Sequence, residues 1–153
     1  MPIVGLISDT HGLLRPEALL ALAGSELIIH AGDVGKPEIL DALRAVAPVV
    51  AVRGNVDTAA WASALPATAV AEVAGTLIYV LHDEIDLDLN PAAAGFGIVV
   101  SGHTHKAARS ARDGVVYLNP GSAGPRRFKL PVTVARLELG KRPWIVTFIQ
   151  LDQ

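Results

Sequence analysis

The sequence predicts an α/β fold in which two β-sheets pack face to face with helices outside, and three observations predict it. Hydrophobic residues make up 51% of the 153 residues while charged ones are 18% and aromatics 5%, so the core must be closely layered Ala, Val, Leu and Ile. The N-terminal third alternates apolar run, polar loop and amphipathic segment, as strand, loop and helix units do. From Ala67 onward strand-like runs follow one another directly, and about nine strands with few helices are too many for one covered sheet.

Each element has its own justification. Ile3 to Ile7 is a short apolar run that reads as a buried strand, ending in Ser8-Asp9-Thr10-His11-Gly12. Pro16, a residue suited to the first helical position, opens an Ala/Leu helix to Ala23, with Gly24 as its stop. Leu27 to His30 is the second strand, Pro37 to Val46 a helix with Ile39, Leu40 and Leu43 on one face, and Val49 to Val52 the third strand. Thr68 to Val73 and Thr76 to Leu81 flank Ala74-Gly75 as a hairpin. Ile98 to Val100 and Val115 to Leu118 are further strands, and Val132 to Leu139 pairs with Trp144 to Ile149 around Gly140-Lys141-Arg142-Pro143. No internal repeat or linker interrupts the chain, which is expected to form a single domain over residues 1–153.

Composition excludes several function classes. The net charge of -2 gives no overall basic field, so no stable nucleic-acid binding is expected. The absence of cysteine removes disulfides, thiolate zinc sites, iron–sulfur clusters and a cysteine nucleophile. Neither a signal-peptide pattern nor a membrane span is expected, and a cytoplasmic location is the reading that follows. Ser122 sits in Pro120-Gly121-Ser122-Ala123-Gly124, where a nucleophile elbow needs glycine at position 120. No phosphate-cradling Gly-rich loop with Lys-Ser/Thr is present, and Gly95-Phe96-Gly97 lacks the rest of a dinucleotide fingerprint.

The five histidines, His11, His30, His82, His103 and His105, all fall at predicted strand ends beside Asp, Asn or Gly. In an extended segment residues i and i+2 point the same way, so Asp9-x-His11 is expected to project a carboxylate beside an imidazole, and His103-x-His105 two imidazoles. Either pair alone is also what a hydrogen-bonded turn looks like. The ordered series Asp9-x-His11, Gly32-Asp33, Gly54-Asn55, His82, Gly102-His103-Thr104-His105 and Asn119-Pro120-Gly121-Ser122 spans nearly the whole chain. This series resembles the calcineurin-like metallophosphoesterase superfamily, and in particular the small YfcE-like phosphodiesterases, whose relatives include the retromer scaffold subunit.

The resemblance implies a four-layer αββα sandwich of two mixed sheets with a pair of divalent cations where the loops converge. By that likeness Asp9, His11 and His105 would hold the first ion, Asn55, His82 and His103 the second, and Asp33 would bridge them. Imidazole, carboxylate and carboxamide ligands without sulfur suit Mn, Fe, Zn, Co or Ni, with Mn the first expectation. Such a centre stays positive and attracts a small phosphoester, and a shared water deprotonated near neutral pH would be the nucleophile. Catalysis then runs through these seven ligands, with no separate general acid: the superfamily pattern Gly-Asn-His is here Gly54-Asn55-Val56, and valine cannot donate a proton. A second departure is Lys36, where a longer Gly-Asp-x-x-Asp pattern places an acid.

Other residues are read more modestly. His30 is either a support for Asp33 or a buried hydrogen-bonded histidine, and Asp57 either supports a neighbouring loop or, the favoured reading, caps the segment from Thr58. Arg53, Arg126 and Arg127 could reach a substrate phosphate, although a solvated surface suits the arginine pair, and the acidic run Asp83 to Asp88 is expected to be a solvated loop. The competing reading is a non-catalytic scaffold or interaction protein of the same fold. The natural substrate and the oligomeric state stay open at this point, Trp61 and Trp144 suiting either a core or an interface.

Overall fold

The computed structural model describes residues 2–152. Ten strands and two α-helices follow in order: β1 (Ile3–Ile7), α1 (Pro16–Leu22), β2 (Leu27–His30), α2 (Pro37–Arg44), β3 (Val49–Ala51), β4 (Thr68–Val73), β5 (Thr76–Leu81), β6 (Ile98–Val100), β7 (Ala107–Arg112), β8 (Val115–Pro120), β9 (Thr133–Glu138) and β10 (Ile145–Gln150). Short 3₁₀ turns lie at Ala60–Ala64 and Glu84–Asp86. They form two five-stranded mixed sheets, ordered β10-β9-β1-β2-β3 and β4-β5-β6-β8-β7. In the first, β1, β2 and β3 run parallel and β9 and β10 antiparallel. In the second, β5, β6 and β8 run parallel, with β4 and β7 as antiparallel edges.

The main core lies between the sheets. Val4, Leu6, Ile29 and Leu137 from the first meet Ile78, Val80, Ile98 and Val100 from the second, all fully buried, and Trp144 closes one side of this layer. Each aliphatic side chain buried in this way stabilises the fold by about 1.5 to 3 kcal/mol. The outer face of the first sheet carries Ile7, Ile28 and Val134 against Ala18 and Leu22 of α1 and Ile39, Leu40 and Leu43 of α2. Both helices start on proline and carry a glutamate in the first turn, which favours their N-termini. The outer face of the second sheet, with Tyr79, Val99 and Tyr117, is covered by Leu87, Leu89 and Phe96 of the segment between β5 and β6. The sandwich expected from the resemblance is therefore present, with its second outer layer built from an irregular segment and a 3₁₀ turn.

One strand is absent from the sequence expectation. β7, Ala-Ala-Arg-Ser-Ala-Arg, is exposed along its whole length and carries no apolar alternation. It is an edge strand held by backbone pairing to β8, and its two arginines are the kind of residue that protects a sheet edge from further pairing. Among the described residues no helix is long and apolar enough to cross a membrane.

Candidate metal centre

Parallel strands present their carboxyl ends on one side of a sheet, and the loops that follow them converge there. Asp9 follows β1, Asp33 follows β2, Asn55 follows β3, His82 follows β5, and His103 and His105 follow β6. The local backbone is unusual at these positions. Asp9 (φ 55°), His11 (φ 46°), Asp33 (φ 56°), His103 (φ 72°) and His105 (φ 65°) all adopt the left-handed conformation. That conformation costs an ordinary residue about 1 kcal/mol. Asp9 and His11 do lie side by side as expected, Oδ1 3.7 Å from Nε2, but on left-handed rather than extended backbone, and the expected pairing of His103 with His105 is corrected. Left-handed loops re-aim these side chains, and the two histidines of Gly102-His103-Thr104-His105 part company: the His103 ring lies 5.3 Å from that of His82, whereas the His105 ring lies 5.3 Å from that of His11.

Each aspartate is held by one oxygen and presents the other. Asp9 Oδ2 accepts from Ser8 Oγ (2.6 Å) and from the His103 backbone N–H (3.0 Å), leaving Oδ1 3.7 Å from His11 Nε2, 3.9 Å from His82 Nε2 and 3.4 Å from His105 Nε2. Asp33 Oδ1 accepts from the Val56 N–H (3.0 Å), leaving Oδ2 3.6 Å from His11 Nε2 and 3.2 Å from His82 Nε2. His82 Nδ1 donates to the Ala31 carbonyl (2.7 Å), which turns Nε2 toward both carboxylates. Asp9 Oδ1, His11 Nε2, His82 Nε2 and His105 Nδ1 are all buried without a hydrogen-bond partner.

Two overlapping groups result, Asp9, His11 and His105, and Asp9, Asp33 and His82, each with its ligand atoms within 4.8 Å of one another. Atoms bound to one cation at about 2.0 to 2.2 Å stand roughly 3 to 4 Å apart. These spacings and orphaned atoms therefore fit divalent cations. Of the seven predicted residues, five meet at the centre. Asn55 is exposed and lines the adjacent cavity with His82, and the half-exposed His103 stands with Nε2 3.5 Å from Asp83 Oδ2. In this arrangement Asp9 is common to both groups, while Asp33 lies between His11 and His82.

Electrostatics follow from the packing. Burial works against the charge on Asp33, but the His82 ring, 3.2 Å from Oδ2, and the hydrogen bond from the Val56 N–H hold its carboxyl below the usual carboxylate range. Burial likewise opposes protonation of His82, yet Asp33, the Ala31 carbonyl and Asp9 raise it to about 9. Burial pushes His105 down, with Arg127 and His11 adding to the effect and Asp9 opposing it.

The centre is supported by residues whose partners the sequence does not reveal. Asp57, expected to cap the segment after it, instead accepts from the backbone N–H groups of Val34 (3.1 Å), Gly35 (3.0 Å) and Gly54 (2.9 Å), and so ties the Asp33 loop to the Asn55 loop. Asn119 donates to the Gly102 carbonyl (2.9 Å) and to Thr104 Oγ1 (3.1 Å), and Ser122 Oγ donates to the Asp9 carbonyl (3.0 Å). His30 is fully buried and does not touch Asp33; Thr10 Oγ1 lies 3.0 Å from its Nε2, and the Gly32 N–H donates to its Nδ1 (3.1 Å). Glycine is required by close approach at Gly102, where a Cβ would come within 2.6 Å of Asp9 Oδ2.

A family model for the calcineurin-like phosphoesterase superfamily domain matches residues 3–142. The chain belongs to this superfamily. A probable metallophosphoesterase of Methanothermobacter thermautotrophicus is 34% identical over 149 residues, covering 89% of this chain and 86% of that protein. Two solved structures share the phosphoesterase fold. YfcE, a phosphoesterase from E. coli, superposes with a TM-score of 0.71 at 20% identity over 98% of this chain and 100% of its own. Vps29 from Entamoeba histolytica, complexed with zinc, gives 0.73 at 21% identity over 98% and 99%.

Proposed function

We propose that this phosphoesterase-family protein is a dinuclear-metal hydrolase of small phosphodiesters. The observation that carries the reading is the convergence of four buried, unpartnered polar atoms from three separate loops into two overlapping ligand groups. Asp9, His11 and His105 would hold one cation, and His82 with Asn55 and His103 the other, with Asp33 between them. Bound there, two cations would supply a water acidic enough to deprotonate near neutral pH and would draw charge from the phosphoryl oxygens, with Mn the first candidate.

The chain's own residues then set the substrate. Val56, nearly half exposed at the rim, holds Asp33 through its backbone but offers no proton to a leaving group. Esters with good leaving groups are favoured accordingly. The cavity beside His82, about 430 Å³, is lined by Asp83, Asp86 and Asp88 against the single cation Arg53. A monoester dianion meets more repulsion there than a diester monoanion does, which supports a diester preference.

The likeness to Vps29 supports the second reading, a non-catalytic interaction protein. Protein loaded with Mn or Ni and offered bis-p-nitrophenyl phosphate and p-nitrophenyl phosphate separates the two. Faster diester turnover, lost in both Asp33→Ala and His103→Ala, supports the hydrolase. Absence of turnover with every cation tested, while those cations still raise the melting temperature, favours the interaction protein.

A further inference from the structure

The two sides of the centre carry opposite charge. On the His82 side, three aspartates line the cavity, and the one arginine there donates to the Leu65 carbonyl (3.0 Å). On the His105 side, a second hollow of about 750 Å³ is lined by Thr104, Lys106, Phe128, Lys129 and Leu130, with no carboxylate among them. Thr104 and Lys106 flank His105 in the chain, which ties this hollow to the centre. Arg126 pairs with Asp152 (3.7 Å), whereas Lys106, Arg127 and Lys129 make no ion pair among the described residues.

Phe128 is 93% exposed, the most exposed large hydrophobic side chain among the described residues, and its φ is 54°. A bulky residue takes that conformation only where its surroundings impose it. Its turn is closed by the Leu130 N–H on the Arg127 carbonyl (3.2 Å), which accounts for the backbone, but the ring lies in water between two cations and contributes nothing to the core.

We propose that the Arg127–Leu130 loop and Lys106 form a subsite for the nucleotide arm of the substrate, with an aromatic base on Phe128 and a phosphate beyond the scissile one on Lys106, Lys129 and Arg127. This rests on the phosphodiesterase reading. Inorganic phosphate would leave the ring unused, and an uncharged aromatic arm would leave three cations unused. A nucleotide uses both, and the acidic His82 side admits the extra phosphate only from this direction.

The test uses the full-length, metal-loaded protein and a 2-aminopurine dinucleotide with a bridging methylene phosphonate, which resists hydrolysis, with and without a 5′-phosphate. Quenching of 2-aminopurine fluorescence reads stacking independently of turnover. In the wild type the 5′-phosphate should tighten binding about tenfold. The Lys106→Gln/Lys129→Gln double variant should reduce that gain to less than about twofold. Phe128→Ala should abolish quenching and Phe128→Tyr should restore it. Equal affinity with and without the 5′-phosphate, quenching that survives Phe128→Ala, or affinity that climbs steeply with oligonucleotide length would overturn the subsite. Stacking without hydrolysis of bis-p-nitrophenyl phosphate would sink the hydrolase reading and leave the subsite standing.

Discussion

Replacing Asp57 with alanine isolates the brace that joins the Asp33 and Asn55 loops. The carboxylate is 2% exposed and accepts three backbone N–H groups at 2.9 to 3.1 Å, two on Oδ2 and one on Oδ1. A hydrogen bond to a charged group contributes about 1.5 to 3 kcal/mol, and a buried donor left without a partner costs about 1 to 3 kcal/mol. The Val34 N–H has no route to solvent in the variant, while Gly35 is exposed and can turn to water. The expected loss is therefore roughly 3 to 5 kcal/mol, a large part of a small domain's stability. Asp57→Asn keeps the shape but must set its amide N–H₂ against at least one backbone N–H, for a loss of roughly 2 to 3 kcal/mol. Urea denaturation followed by the fluorescence of Trp61 and Trp144 measures both. Cation affinity should fall at least about tenfold in each, because Asp57 positions the segment whose Val56 N–H fixes Asp33. A loss under about 1 kcal/mol for the alanine variant, or asparagine behaving as aspartate does, would refute the brace.

Two further perturbations probe the same framework. Thr10 Oγ1 gives its proton to the Val34 carbonyl (2.8 Å), so His30 Nε2 must donate to Thr10 while Nδ1 accepts from Gly32, and the neutral ring is fully satisfied. Burial pushes its folded pKa down to about 4, so between the ordinary 6.5 and that value the unfolded chain takes up a proton that the folded chain refuses. Stability should therefore fall by up to about 3 kcal/mol as pH drops from 6.5 to 4, and chemical denaturation of His30→Gln should lack that component of the slope. Identical slopes in the two proteins would count against it. Gly102→Ala should weaken cation binding at least tenfold by calorimetry, because its methyl would displace Asp9 Oδ2 from Ser8 and the His103 N–H. Binding unchanged in that variant would show that the Asp9 oxygen tolerates the methyl.

What could be read from the sequence divides along physical lines. Periodicity located the buried strands and both helices because burial on one or two faces leaves a pattern in hydrophobicity, as in Ile3–Ile7 or the Thr68–Leu81 hairpin. It passed over β7, which pairs with β8 through its backbone and whose residues are all exposed, with no apolar alternation to read. The ordered series of strand-end motifs pointed, through its resemblance to the metallophosphoesterases, to seven residues, of which Asp9, His11, Asp33, His82 and His105 meet at the centre while Asn55 and His103 stand beside it. The left-handed backbone at Asp9, His11, Asp33, His103 and His105 left no trace, because Asp and His tolerate it without glycine. Asp57 was legible as a loop support or a cap, with the cap favoured and the partners unknown. Its bonds reach 22 and 23 residues back along the chain, which no local pattern encodes.

The cost of this architecture argues for what it is for. Four side chains at the centre, those of Asp9, His11, Asp33 and His105, sit on backbone that ordinary residues avoid, and four buried polar atoms there have no hydrogen-bond partner. Folding stability would be served better by relaxing either feature, yet Asp57, Asn119, Ser8 and Ser122 hold both in place through hydrogen bonds to the very loops concerned. A framework that spends so many internal bonds to keep lone pairs facing one another is organised around something that accepts those lone pairs, and a cation does so where a proton satisfies only one pair at a time. Asp33 and Asp9 favour a proton on His82, at one edge of the cluster only. Asp9 Oδ1 still faces three imidazole nitrogens at 3.4 to 3.9 Å, a separation too long for a hydrogen bond and matched to ligands around a common ion.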